Sequence, residues 1–493
     1  MSHEDSQPKQ DESTLLAERR RKLDELRAAG VDPFPHEFRD RTEIAEVARR
    51  YDSLQAGDES AETLRLAGRL AARRGHGKAS FLDLVDRSGR LQLHARADVL
   101  GDAYEPLVDL DLGDLIGVEG APMRTRRGEL SLRVDSWQLL AKSLRPPPDK
   151  YHGLADVETR YRHRELDLLA NEESRDLFLL RTRAIAAVRR FLDERGFIEV
   201  ETPVLQPIYG GALARPFVTH HNALDRTLYL RIATELYLKR LIVGGLEKVY
   251  ELGKDFRNEG ISHKHNPEFT MLETYEAYAD YNDVAEMTEQ LVANVAREVT
   301  GETKVGQIEL SPPWRRVTLT DAIRDATGVD ISQHTERDAL AAALQAAGIE
   351  VEPDASWPKL VDDLFSKHVE PTLIQPTFVL DYPVELSPFA KPHRAKPGMV
   401  ERFEAVAGGV EIANAFTELN DPDDQRARLE HQERLLAAGD EEAPPLDEDY
   451  LFALEHGMPP TGGLGIGMDR LVMLLTERHS IREVLLFPAL RDR

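Results

Sequence analysis

Cysteine is absent from the 493 residues, which excludes disulfides and thiolate metal sites and fits a reducing cytosol. No apolar stretch is long enough to span a bilayer, and the opening MSHEDSQPKQDEST lacks the apolar core of a secretion signal. A cytoplasmic protein with no membrane partner is therefore expected. Basic residues are also in the minority: 63 Lys and Arg against 88 Asp and Glu give a formal net charge of −25. Such a chain repels polyanions as a whole, so DNA is not an expected partner, and any RNA contact must rest on a local gathering of basic side chains. What is present is material for large cores, with 41% hydrophobic residues, and a length that suggests about three domains.

Residues 1–13 read as a disordered tail and 14–60 as a helical segment. In LLAERRRKLDELRAA, Leu16, Leu23 and Leu26 form an apolar set and Gly30 a stop. The run Arg19-Arg20-Arg21-Lys22 reads as a solvated face, with a polyanion contact as the alternative. Residues 61–145 change to short β-like runs with turns at Ser88-Gly89 and Arg127-Gly128. Five such strands fit an OB-fold barrel, a shape that binds single-stranded nucleic acids. Arg65, Arg69, Arg73, Arg74 and Lys78 lie in it with no acid among residues 65–78. Phe81 can stack a base, and Gln92 and Glu129 can bond base edges; read singly, Phe81 is core and Gln92 surface. A Pro-rich connector, SLRPPPDKYHG, opens a linker over 146–173, and residues 174–493 form a larger α+β domain with a helix-rich, acidic insertion near 320–373. In that domain a helix over 174–195 leads to FIEVETP, a strand ended by Pro203, and Thr234 caps a helix that opens with Glu235. His220-His221 lacks a third ligand and carries little weight as a metal site.

The most informative stretch is residues 248–280, two antiparallel strands around a charged loop over 257–267. Alternation puts Phe269, Met271, Glu273 and Tyr275 on one face of the second strand. An aromatic ring, a carboxylate and a phenol in one row suit a ligand better than a core. Arg257 suits phosphate, Phe269 can stack on a purine, and Glu259 and His265 flank them; a solvated hairpin tip is the plain alternative. In ERFEAVAGGVEIANAFTELNDP, Asn414, Phe416 and Glu418 share a face. Glu404 and Glu411 are hard carboxylates suited to Mg²⁺. Glu411 lies three residues before Asn414, so it falls on the opposite face unless a bulge intervenes or it approaches from the edge. GGLGIGMDR sets Gly463, Gly465 and Gly467 on a bare strand face before Arg470 opens a helix. It is neither a dinucleotide fingerprint nor a P-loop.

FRNEG, HNPEF and MLETY together resemble motif 2 of the class II aminoacyl-tRNA synthetases, closely in its lysine-specific form. The helix and Pro203-ended strand resemble motif 1, and GGLGIGMDR resembles motif 3; nothing resembles the paired HIGH and KMSKS signatures of class I. The likeness to bacterial-type lysyl-tRNA synthetases of subclass IIb runs from about residue 15 to the C-terminus. It implies an α+β protein: a five-stranded OB-fold barrel for the anticodon, then a catalytic domain with an antiparallel sheet flanked by helices. It implies a homodimer through motif 1 and an ATP-dependent activation of L-lysine to lysyl-adenylate. Transfer to the 3′-OH of the terminal adenosine of tRNA(Lys) follows. By the same likeness the anticodon positions fall on Arg73, Phe81, Gln92 and Glu129. Arg257, His265 and Arg470 act on phosphates, with Glu259 and Phe269 on adenine and Glu404 and Glu411 on Mg²⁺. Glu273 and Glu418 take the lysine side chain and Glu235 its α-amino group, with Tyr275, Asn414 and Phe416 completing the pocket. One departure is Glu165, where the family has an aromatic residue. The competing readings are an inert RNA-binding relative and a paralogue that lysylates a protein, the latter lacking the OB domain this chain has.

Overall fold

Apolar residues at every second position, as in RLAGRL and LQLHA, give strands one dry face, and a closed barrel buries all those faces at once. The computed structural model describes residues 12–75, 77–148, 154–353 and 355–491. The chain divides into two compact units, Met1–Ala155 and Asp156–Arg493. In the first, β1 (Leu64–Arg74), β2 (Ala79–Val85), β3 (Arg90–Arg96), β4 (Leu115–Arg124) and β5 (Leu130–Ala141) close in the order β1-β2-β3-β5-β4. Leu66, Leu70, Leu82, Leu84, Leu93, Val118 and Leu132 fill the interior. This is the expected OB barrel.

The helix beside it spans Glu12–Ala28. Leu23 is buried and Leu26 packs on the barrel core. Its basic run is a solvated face at Arg20 and Arg21, as expected, but not at Arg19 and Lys22. Arg19 is buried and donates to the carbonyls of Ser143 (3.0 Å) and Leu112 (3.0 Å), while Lys22 donates to that of Asp109 (2.8 Å). These two cations dock the helix by satisfying loop carbonyls that burial would otherwise strand. The tail placed over 1–13 lies outside the described residues except for Glu12 and Ser13, which begin the helix. The connector at 149–153 lies outside them too. The rest of the linker holds two short helices, Val157–Arg162 and Arg164–Ala170. Asp156 caps the first by accepting from the Thr159 N–H (2.8 Å), and buried Arg164 pairs with Asp167 (2.6 Å). Glu165 is exposed there beside His163.

The second unit opens with the helix Glu172–Asp193. Its buried stripe runs through Leu177, Ala184, Val188 and Leu192, with Phe178 and Ile185 only partly covered. Beyond it β6 is just Ile198–Glu199, so FIEVETP is not the full strand expected. The Thr202 N–H goes to a Glu251 carboxylate oxygen (3.0 Å) instead of a ladder, and Pro203 has none to give. A three-stranded sheet, β7-β9-β8, follows from β7 (Leu205–Gln206), β8 (Val218–His221) and β9 (Arg226–Leu230). His220 and His221 stay with local partners, Asp225 and the Leu224 N–H.

The remaining strands are β10 (Lys248–Phe256), β11 (Glu268–Ala277), a hairpin of β12 (Lys304–Val305) and β13 (Ile308–Glu309), then β14 (Arg315–Thr318), β15 (Thr377–Pro383), β16 (Met399–Ala407), β17 (Val410–Thr417) and β18 (Thr461–Gly467). The main sheet has eight strands in the order β14-β15-β16-β17-β18-β11-β10-β6. Its central pairs are antiparallel, and the outer pairs β14–β15 and β10–β6 are parallel. Helices Tyr281–Thr300 and Met468–Leu475 join the helix Glu172–Asp193 in one large core on this sheet. Helices Leu319–Thr327, Arg337–Ala346 and Trp357–Leu364 build a second core with Val379, Tyr382, Val400 and Val406 of the sheet. No helix among the described residues is long and apolar enough to cross a membrane.

Candidate active site

Strand alternation and register bring the chemistry to the middle of the sheet. Glu273 and Tyr275 of β11 stand opposite Gly465 and Gly463 of β18, and those glycines stand opposite Asn414 and Phe416 of β17. The bare glycines leave two adjoining cavities on that face.

The first is lined by Arg257, Glu259, His265, Phe269, Glu411, Gly467 and Arg470, among others. It thus gathers every residue that the sequence singled out for a nucleotide. Arg257 lies over the Phe269 ring, 5.1 Å from its centre, so one face of the ring is already covered by a cation. Arg470 donates to both the carbonyl (3.0 Å) and carboxylate (2.8 Å) of Glu411, and its other nitrogen is 3.5 Å from His265 Nε2. Desolvation and the charges of Arg470 and Lys264 lower the His265 pKa, favouring the neutral ring. Asp469 fixes the floor: it accepts from the Thr270 N–H (2.8 Å) and pairs with Arg181 (2.6 Å) of the helix Glu172–Asp193.

The parity conflict at Glu411 is resolved by a bulge. Ala405 pairs with Ala413 but Val406 pairs with Glu411, leaving Ile412 as the extra residue. That added residue returns Glu411 to the cavity side. Glu404 sits across from Asn414 and pairs with Arg402 (2.7 Å). Burial, with the charge of Glu411, pushes its carboxyl up to about 8. Two mutually repelling carboxylates suit a divalent cation, which would relieve that repulsion. Among the described residues no three His, Asp or Glu side chains gather as a metal cluster.

The second cavity is lined by Glu235, Glu273, Tyr275, Asn414, Phe416 and Glu418, all six residues expected around an amine. Arg257, Met271, Asn414 and Gly465 line both cavities, so a ligand in one reaches the other past Arg257. Glu273 is buried and accepts from the Thr234 N–H (3.1 Å) and the Tyr275 hydroxyl (3.1 Å). Burial nevertheless raises its pKa, and Tyr275 is raised with it. Thr234 does not cap through its side chain as expected, and its amide donates to Glu273. Glu418 is fully buried, and its carboxylate is in ion-pair contact with the ammonium of Lys239. Gly463 leaves it room, since a Cβ there would overlap Glu418 Oε1 and come within 2.8 Å of Tyr275 Cε1. Gly211, at φ +86°, lets the GGALARPF loop close on Glu235, where a Cβ would lie 2.9 Å away.

Two cations escaped the sequence reading. Arg402 donates to Asn414 Oδ1 (3.0 Å) and to Glu404, joining the walls of the two carboxylate groups. Lys239, buried behind the pocket, donates to Glu235 Oε1 (2.6 Å). Its four-residue spacing from Glu235 in TELYLKRLIV was the available signal.

On the barrel, Phe81 and His94 pair across β2 and β3 and stack, centres 4.8 Å apart and planes 12° apart. Gln92 lies beside them, its oxygen accepting from Ser131 (2.9 Å), whose hydroxyl also nears the Glu129 carbonyl. Arg73 is not brought to this face. It stands opposite core residue Leu82 and turns to the Leu110 carbonyl (3.2 Å), while Arg74 stands opposite Phe81 and pairs with Asp83. The basic patch is partly spent internally as well: Arg65 pairs with Glu119 (2.8 Å) and Arg69 bonds the Gly113 carbonyl (2.6 Å).

Comparison with known proteins agrees with this geometry. Residues 156–491 match the class II tRNA synthetases of the D, K and N group, and residues 64–140 match the OB-fold nucleic acid binding domain. The chain is 55% identical to the lysine–tRNA ligase of Moorella thermoacetica over 98% of its own length and 99% of that protein. It is 54% identical to that of Roseiflexus castenholzii over 97% and 99%, and 52% identical to that of Carboxydothermus hydrogenoformans over 98% and 99%. The chain belongs to the lysine–tRNA ligase family. Membership of that family accounts for a class II synthetase domain and an OB-fold nucleic acid binding domain occurring in one polypeptide.

Proposed function

We propose that this protein activates L-lysine with ATP and transfers the lysyl group to the 3′-OH of the terminal adenosine of tRNA(Lys). The observation that carries the reading is the shared wall of the two cavities, where Arg257 stands between a carboxylate-lined pocket and a cation-lined cleft. A lysine seated with its side chain among Glu273 and Glu418 presents its carboxylate to Arg257. That same guanidinium faces the α-phosphate of ATP in the adjoining cleft. The carboxylate attacks phosphorus, releasing pyrophosphate, and needs no general base because it is ionised at neutral pH. Catalysis is then positioning and charge neutralisation. Arg470 and His265 hold the outer phosphates, Phe269 stacks on adenine and Glu259 bonds its amino group. Glu404 and Glu411 would hold the Mg²⁺ that accompanies ATP, an ion that neutralises phosphate charge when bound.

Glu235 takes the α-ammonium, and Tyr275, Asn414 and Phe416 close the pocket. A buried ammonium is costly unless paired, and these acids supply the pairing. Phe81, Gln92 and Glu129 on the barrel read the anticodon. Ile198, Val204, Leu205, Val218 and Leu224 expose apolar surface around the short strands, Val218 to 64%, and this surface supports a homodimer; the cytoplasm is where a tRNA-charging enzyme would act. The test is aminoacylation of purified tRNA transcripts with each candidate amino acid. Charging of tRNA(Lys) by lysine is expected, and charging by aspartate or asparagine instead would overturn the reading.

A further inference from the structure

Burying an ammonium is costly, and Lys239 does it completely: its side chain is 0% exposed, as is that of Glu418 beside it. It lies behind the amine pocket, on the helix Glu235–Val243, and its Nζ bonds Glu235 and is in ion-pair contact with Glu418. The rings of Phe389 and Phe416 flank it at 5.3 and 5.4 Å. Tyr450, from the helix Glu448–Glu455, is the other titratable group facing it. Facing the two carboxylates are Glu273 and Tyr275 of β11, with Arg257 and Asp255 beyond Glu273.

We propose that Lys239 is a positioning residue, a built-in counter-cation that aims Glu235 and Glu418 at the pocket and favours their charged forms against burial. Lys239 offsets part of the charge of Glu235, Glu273 and Glu418, and an α,ω-diamino acid brings two further ammonium groups to these acids while its carboxylate meets Arg257. Burial raises both carboxyls, Glu235 to about 7 and Glu418 well above its ordinary value, and Lys239 is the main influence opposing it. The two carboxylates in turn outweigh burial at Lys239 and raise its pKa, so it stays charged. Without it, both acids would take up protons still more readily and lose their hold on an amine.

The inference rests on the lysine-activating reading, and the test separates the two. Full-length wild type, Lys239→Met and Lys239→Ala are assayed by lysine-dependent ATP–pyrophosphate exchange between pH 6.5 and 8.5, with thermal melting to establish folding. Lys239→Met is expected to raise the lysine KM at least about tenfold at pH 7, leave the ATP KM within about twofold, and lose much of its penalty by pH 8.5. Lys239→Ala should recover at least about threefold in lysine KM with millimolar ethylamine, which does not lower the wild-type value. Lys239→Gln, a donor without charge, replaces Lys239→Met if that variant does not fold. A lysine KM within twofold of wild type, or a penalty that is equal at every pH and indifferent to ethylamine, overturns the role and marks Lys239 as packing. Absence of lysine-dependent exchange in wild type would instead overturn the underlying activity.

Discussion

Replacing Glu273 with Gln probes the amine pocket with little change of shape. Glu273 is buried, with one oxygen on the Thr234 amide and the other on the Tyr275 hydroxyl. A Gln can keep both contacts: its oxygen still accepts from Thr234, and its NH₂ donates to a Tyr275 hydroxyl that rotates to accept. What disappears is the negative charge, and burial already works against that charge in the empty pocket. The apo variant should therefore be as stable as wild type or slightly more so, because a neutral amide is cheaper to bury. With lysine bound, removing one partner of a buried charge pair costs about 2–5 kcal/mol, a factor of roughly 30 to several thousand. Lysine-dependent pyrophosphate exchange should show that loss in kcat/KM for lysine while ATP binding, followed separately, stays near wild type. An equal loss of ATP binding, or less than about a threefold effect on lysine, would refute the assignment of Glu273 to the amine.

Gly463→Ala should be poorly tolerated, because its Cβ would fall on Glu418 and Tyr275; overpacking of this kind costs about 1–3 kcal/mol, and lysine activation should fall with it. Gly467→Ala, whose nearest atoms belong to the flexible Arg470 side chain at 3.6 Å, should melt like wild type. On the barrel, Phe81→Ala removes a ring already stacked on His94 and should cost about 1–3 kcal/mol in tRNA binding while exchange is unchanged; loss of exchange would contradict a separate RNA-reading role. Acidification gives a signed prediction. The folded pKa of Glu235 is raised to about 7, so the empty pocket favours folding at low pH and loses that contribution as pH rises through about 7. Lysine binds the ionised form, so the melting-temperature gain it gives should be larger at pH 8 than at pH 6; the opposite trend would place the bound amine elsewhere.

Much of this site is legible in the sequence because strand geometry is periodic. Alternation alone puts Phe269, Met271, Glu273 and Tyr275 on one face, and the cavities are lined accordingly. The bulge at Ile412 is visible only as a conflict, since parity fails between Glu411 and Asn414 and no local residue type says where the extra residue goes. Elsewhere the local signal misleads. Arg19 and Lys22 read as surface charges, but their partners are loop carbonyls about ninety or more residues away. Arg73 reads as the end of a basic stripe, yet the register of β1 with β2 gives its place on the outer face to Arg74. Lys239 and Arg402 each have a nearby acid in sequence, Glu235 and Glu404, but their other partners, Glu418 and Asn414, meet them only through the fold. Thr234 precedes Glu235 as a helix cap would, but its αR backbone leaves no side-chain cap bond, and its amide donates to Glu273.

The central claim is that the amine of lysine sits among acids on the face of the sheet that also holds ATP. A crystal structure of the protein with L-lysine and a non-hydrolysable ATP analogue tests it most directly. The expected map places the ε-nitrogen within hydrogen-bond distance of Glu273 and Glu418, with the lysine carboxylate on Arg257 beside the α-phosphate. A lysine whose ε-nitrogen points away from both acids, or one bound outside this cavity, would contradict it.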